Sequence, residues 1–213
     1  MAISCIIFDF DGTLADTAKG IVATEQEMLR RLGLPMVTEE QMCSAIGLPL
    51  AESLRMGASV PDEMLETAVK LYRELFFDYA PQHIEVFDGV KETLEWLAGR
   101  GIEMAIATSR GRNSLGKILE VHGLSGYFNE RVTADDGIKA KPAPDMVLAL
   151  LERMGRRSDE TLVVGDTTFD IDMGKGAGCR TLGVSYGNHS AEMLATSSPD
   201  WISDDFRFIR QIV

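Results

Sequence analysis

Apolar residues in this chain fall into short unbroken runs, separated by longer stretches in which they recur every three or four positions. Ile3, Cys5, Ile6, Ile7 and Phe8 make the first run, which stops at Asp9. Comparable runs occupy Met104 to Thr108, Leu162 to Asp166 and Thr181 to Val184. A short run with no polar face fits a strand covered on both sides, the environment of a parallel sheet. Between the runs, Val90, Leu94 and Leu97 are spaced i, i+4, i+7, and Met146, Val147, Leu150, Leu151 and Met154 line one face of another helix. The alternation predicts an α/β fold, a doubly wound and mostly parallel sheet whose ligands bind beyond the carboxyl ends of its strands.

The rhythm breaks between Asp16 and Pro81, where helical spacing dominates. Ile21, Val22, Met28, Leu29 and Leu32 form one stripe ended by Gly33, and Thr38 with Gln41 has the form of a capping box opening a second helix. Pro61 suits the first turn of a longer helix on which Met64, Ala68, Leu71, Leu75 and Tyr79 share a face. Residues 16–81 are therefore expected to be a small inserted α-helical domain, and 1–15 with 82–213 a Rossmann-like core.

Composition narrows the functional classes. The chain has 213 residues, 45% hydrophobic and 25% charged, which excludes a disordered, collagenous or disulfide-scaffold protein. With 21 basic against 33 acidic residues the net charge is −12, so a duplex or an anionic bilayer would be repelled. No apolar run approaches the roughly 20 residues of a membrane span, and a cytoplasmic location is expected. Cys5, Cys43 and Cys179 are odd in number and far apart, as reduced thiols rather than a disulfide or zinc framework would be. Nothing in the pattern fixes the oligomeric state.

Candidate chemistry clusters where the apolar runs end. Asp9 and Asp11 follow the first run, and Gly12 gives the chain freedom to turn sharply there. Because the chain is turning, one side chain and one backbone carbonyl could serve a metal while the other carboxylate stays free for proton transfer. Thr108 closes the second run with a hydroxyl able to donate to an anionic oxygen, and Lys141 is held between Ala140 and the stiff Pro142-Ala143-Pro144 segment. Asp166 ends a further run, and Asp170 follows four residues later, where it could equally cap the next helix. Asp9, Asp166 and Asp170 make an all-oxygen set suited to Mg²⁺.

In this order, D-F-D-G-T-L at the start, Thr108, Lys141 before proline and G-D-T-T-F-D resemble the motifs of the haloacid dehalogenase superfamily of phosphotransferases. The helical interval is similar to that family's small cap. The D-G-T-L-A-D-T run, I-G-L-P-L at Ile46 to Leu50 and T-S-R at Thr108 to Arg110 look most like the phosphoglycolate phosphatase group.

The resemblance implies a Mg²⁺-dependent phosphatase acting on a small phosphorylated metabolite, with 2-phosphoglycolate first. Asp9 would be the nucleophile and Asp11 the general acid and base. Thr108 and Lys141 would hold the phosphate, and Asp9, Asp11, Asp166 and Asp170 the metal, Asp11 through its carbonyl. Ser109, Arg110, Gly47 and Leu50 would contact substrate, Arg110 through a carboxylate. Alternatives within the superfamily are a phosphomutase similar to beta-phosphoglucomutase, or a pyrophosphatase or nucleotidase. A non-enzyme alternative is a phospho-aspartate receiver, although there the acceptor follows the third strand of a much shorter chain.

Overall fold

The computed structural model describes residues 2–80 and 83–213, so the expected boundary between 81 and 82 lies outside the described residues. Its strands are β1 (Cys5–Phe8), β2 (Ala15–Asp16), β3 (Glu85–Val86), β4 (Glu103–Ala107), β5 (Glu130–Val132), β6 (Thr161–Gly165), β7 (Arg180–Val184) and β8 (Trp201–Ser203). Six of them form one sheet in the order β5-β4-β1-β6-β7-β8, with every neighbouring pair parallel. That order places β1 at the centre, where the winding direction reverses, which is where open α/β sheets bind their ligands.

All of β1 is buried, and its alternating side chains feed two cores. Ile6 and Phe8 point into the larger one, with Val90, Leu94 and Leu97 of α5 (Val90–Ala98) and Leu115 of α6 (Arg112–Val121). Cys5 and Ile7 point into the other, with Met146, Val147 and Leu150 of α7 (Asp145–Met154) and Met173 of α8 (Thr168–Gly176). Each large apolar side chain withdrawn in this way contributes about 2 kcal/mol, which accounts for a strand with no polar face. The short helices α9 (Ala191–Thr196) and α10 (Ile209–Ile212) complete the layers. Cys5 and Cys179 are buried thiols, and Cys43 is half-buried and also free.

The helical interval holds α1 (Ala18–Leu32), α2 (Glu39–Cys43), α3 (Leu50–Met56) and α4 (Leu65–Tyr79). The antiparallel pair β2 and β3 joins its two ends to the core. Gly33 ends α1 in the left-handed region, as its position in the stripe requires. Three local expectations are modified. Thr38 accepts from Gln41 N, but the Gln41 side chain donates to Ser59 Oγ at 2.9 Å instead of returning to Thr38, so only half of the capping box forms. Pro61 opens a 3-10 turn, Asp62–Met64, and α4 begins only at Leu65. The buried face of α4 is Leu65, Ala68, Tyr72, Leu75 and Phe76, because Tyr72 and Phe76 turn toward a cavity between the helices and the sheet. Among the described residues no helix is long and apolar enough to cross a membrane.

Candidate active site

Asp9, Thr108 and Asp166 are each the first residue beyond one of three adjacent strands, β1, β4 and β6. Hydrogen bonds continue past the strand ends to fix them: Asp9 N donates to Val164 O at 2.9 Å and Thr108 N to Val132 O at 3.0 Å. After Asp9 the chain turns within a few residues, with Phe10 O accepting from the N–H groups of Thr13, Leu14 and Ala15. Gly12 makes the turn possible at φ +82°, and a Cβ there would stand 2.2 Å from Asp166 Oδ2.

Lys141 crosses from the loop after β5 to the centre of this group. Its Nζ lies 2.6 Å from Asp9 Oδ1 and 2.6 Å from Asp170 Oδ1, and all three side chains are buried. Asp170 caps the next helix, as foreseen, and also pairs with Lys141. One of its oxygens faces Lys141, while the other accepts from Thr167 N at 3.0 Å and Thr167 Oγ1 at 2.7 Å, closing a capping box at the start of α8. Gly165 leaves the room this needs, since a Cβ there would fall 2.1 Å from Asp170 Cβ.

Asp166 is fixed by Thr13 Oγ1, Asn188 N and Asn188 Nδ2, each donating at 2.8 Å. Burial pushes its carboxyl up to about 7, reinforced by Asp170 and opposed by the donors from Asn188 and Thr13. Burial also raises the Asp9 carboxyl well above the usual range; Lys141 opposes this, and Asp170, Asp166 and Asp11 add to it. Burial alone would lower Lys141, but Asp170 and Asp9 outweigh it and hold the ammonium charged.

Asp9, Asp166 and Asp170 each offer an oxygen, and these atoms lie within 4.8 Å of one another. With one ammonium against three carboxylates, two negative charges remain uncompensated when all are ionised. Both Asp9 oxygens lack a hydrogen-bond donor of good geometry. An all-carboxylate set with that charge deficit fits a hard divalent cation.

The Asp11 carboxylate is turned elsewhere. Thr17 Oγ1 donates to it at 2.7 Å, and Arg110 grips both of its oxygens, Nε lying 3.1 and 3.0 Å from them and Nη2 forming a further contact. Asp11 therefore has only its backbone carbonyl to offer a metal. Arg110, expected to meet a substrate carboxylate, lines the cavity and is buried against Asp11, with its guanidinium 4.7 Å from the centre of the Phe76 ring. Thr108 Oγ1 accepts from Arg110 N at 3.1 Å, which leaves its proton to donate to a ligand.

Asp9, Asp11, Thr108, Ser109, Arg110, Gly47 and Leu50 all line one cavity of about 440 Å³ between the helical interval and the sheet edge. Ser109 Oγ donates to Gly47 O at 2.7 Å and so ties the loop after β4 to the loop before α3. Glu25 lines the same cavity from α1 and was not among the expected residues. The signal was present: Glu25 is four residues from both Ile21 and Leu29, a charged residue inside an apolar stripe. Asn188 and Thr17 carried no comparable signal. His189 accepts from Thr168 N through Nδ1 at 3.1 Å and has a packing role.

Residues 6–184 match the family described as haloacid dehalogenase-like hydrolase. The chain belongs to that family. The Dickeya dadantii protein named "Probable phosphatase IndB" is 38% identical over 205 residues, covering 94% of this chain and 89% of its own. The phosphoglycolate phosphatase of Pectobacterium atrosepticum is 33% identical over 220 residues, covering 100% and 93%. Among solved structures, a predicted phosphoglycolate phosphatase from Haemophilus somnus superposes with a TM-score of 0.90 at 26% identity, covering 99% of this chain and 97% of that one. This haloacid dehalogenase-like hydrolase is thus a phosphatase, similar to phosphoglycolate phosphatases and acting on phosphoric monoesters. The receiver alternative is set aside by that membership.

Proposed function

We propose that the protein is a Mg²⁺-dependent phosphatase that hydrolyses a small phosphate monoester through a phosphorylated Asp9. The observation that carries this reading is the state of Asp9: a buried carboxylate at the end of the central strand, lining the cavity, with the Lys141 ammonium at 2.6 Å from one oxygen and no other donor on either. Asp166, by contrast, accepts three hydrogen bonds, and one oxygen of Asp170 accepts two.

A phosphate monoester hydrolyses very slowly unaided, so two displacements through a covalent intermediate are an effective route. An Asp9 oxygen attacks phosphorus, the bond from phosphorus to the leaving oxygen breaks, and Asp11 gives that oxygen a proton. Water then attacks the phosphorus, Asp11 takes its proton back, and the bond to Asp9 breaks to release phosphate. Arg110 has to free an oxygen of Asp11 while Asp11 carries a proton. Thr108 and Lys141 neutralise the charge on the phosphoryl oxygens. Asp9, Asp166, Asp170 and the Asp11 carbonyl would hold Mg²⁺, which when bound supplies positive charge that screens the carboxylates from the phosphate.

The names of several relatives make 2-phosphoglycolate the reference substrate. Phosphate release from a panel of small esters, with and without Mg²⁺, in the wild type and in Asp9→Asn, tests the reading. Turnover that needs the metal and falls at least about a hundredfold in Asp9→Asn is expected. Asp9→Asn with near-normal turnover contradicts it.

A further inference from the structure

The Glu25 side chain has no contact with water, and neither carboxyl oxygen has a hydrogen-bond partner. Nearly all buried polar groups in folded proteins are satisfied, so an orphaned carboxyl bordering a cavity marks a place where a ligand completes the bonding. Ile21, Ile46, Val69 and Phe76 are among the apolar side chains that line the same cavity. The titratable groups that share its surroundings are the Tyr72 phenol on α4 and the Cys43 thiol on α2, neither of them a cation. Of the two arginines that line the cavity, Arg110 has its fork occupied by Asp11, and Arg73 is largely exposed and lies 3.9 Å from Asp135.

We propose that Glu25 sets substrate choice by accepting a hydrogen bond from an amine or hydroxyl on the alcohol half of the phosphate ester. The inference rests on the phosphatase reading and deepens it. With the phosphoryl group at Asp9, the remainder of the substrate occupies the rest of the cavity, which Glu25 lines without a hydrogen-bond partner of its own. A donor arriving there satisfies it. A carboxylate arriving there meets a second acid with no free buried cation beside it, so esters of hydroxy acids are disfavoured. Burial alone pushes the Glu25 carboxyl up to about 8, as the lack of any partner requires.

The test compares four series of phosphate esters of increasing chain length, ending in an amine, a hydroxyl, a methyl group or a carboxylate, the last including 2-phosphoglycolate. Wild type should favour the best amine- or hydroxyl-ended ester over the methyl-ended ester of equal length by roughly tenfold or more in kcat/KM. In Glu25→Leu that ratio should collapse toward one. Glu25→Gln should retain part of the preference if the donor is a hydroxyl and lose it if the donor is an ammonium. Melting curves establish that each variant is folded. Equal kcat/KM across the series, a carboxylate-ended ester as the best substrate, or an unchanged ratio in Glu25→Leu overturns the proposal. If no ester is hydrolysed, the phosphatase reading falls by itself. The preference is then read from the rise in Tm each ester gives the wild type, with equal rises for donor-ended and methyl-ended esters counting against Glu25.

Discussion

Lys141 Nζ stands 2.6 Å from Oδ1 of Asp9, and both side chains are withdrawn almost wholly from water. The same ammonium lies 2.6 Å from Asp170, so a single positive charge holds two buried acids in place. Removing one partner of a buried ion pair leaves an uncompensated charge and typically costs about 3–5 kcal/mol. Lys141→Met is therefore expected to lower the urea midpoint substantially and to reduce kcat/KM at least about a hundredfold, since it also removes charge facing the phosphate. Unfolding and steady-state assays on the purified variant check both effects.

The charge deficit of Asp9, Asp166 and Asp170 makes a prediction that does not depend on catalysis. A cation that binds the folded chain and not the unfolded one stabilises it by about 2.7 kcal/mol at a hundred times its Kd. Mg²⁺ should raise Tm in a concentration-dependent way, and Asp166→Asn should weaken the response. A Tm indifferent to Mg²⁺ in the wild type would remove the basis for the proposed metal site.

Glu25 should make the fold less stable as pH rises. In the unfolded chain its carboxyl ionises near the ordinary value of 4.5, whereas in the fold it stays protonated up to about 8. Between those values the folded state binds the extra proton, so stability falls as pH rises through the window and levels off above it. Glu25→Gln removes this dependence. Its advantage over wild type should be small near pH 5 and grow to the order of a few kcal/mol near pH 8. Urea titrations at several pH values measure it, and a constant difference across the window would show that Glu25 is solvated or paired.

Two glycines with similar backbone angles should respond differently to alanine. Gly12 has φ +82° and Gly33 has φ +67°, but a Cβ at Gly12 would stand 2.2 Å from Asp166 Oδ2, while nothing lies within 4 Å at Gly33. Gly33→Ala should cost roughly 1 kcal/mol of stability through its backbone angle and leave kcat/KM intact. Gly12→Ala adds displacement of Asp166, so turnover and the Mg²⁺ response should both fall. Equal kinetic behaviour of the two variants would contradict the role given to the turn after Asp9.

The candidate site was legible in the sequence because strand ends announce themselves: an unbroken apolar run stopping at Asp9, Thr108 or Asp166 places the polar residue at the sheet edge whatever the rest of the chain does. The outer strands were not legible. β5 reads Glu-Arg-Val and β8 Trp-Ile-Ser, three-residue edge strands too short and too polar for a period to emerge. Asn188 reaches Asp166 from a loop 22 residues away, a contact only the tertiary fold creates. The helical interval was legible as helices, but the side of α4 that faces the cavity depends on how α1 and the sheet approach it. Arg110 shows the same limit, since its pairing with Asp11 spans 99 residues.

The central claim is that Asp9 itself takes the phosphoryl group, and the stereochemical course at phosphorus tests it most directly. A phosphorothioate ester made chiral at phosphorus with sulfur and two oxygen isotopes, hydrolysed in water carrying the third isotope, yields a chiral thiophosphate whose configuration reports the number of displacements. Two in-line displacements, the first by Asp9 and the second by water, predict net retention. Net inversion would mean that water attacks the ester in a single step, and Asp9 would then be no nucleophile.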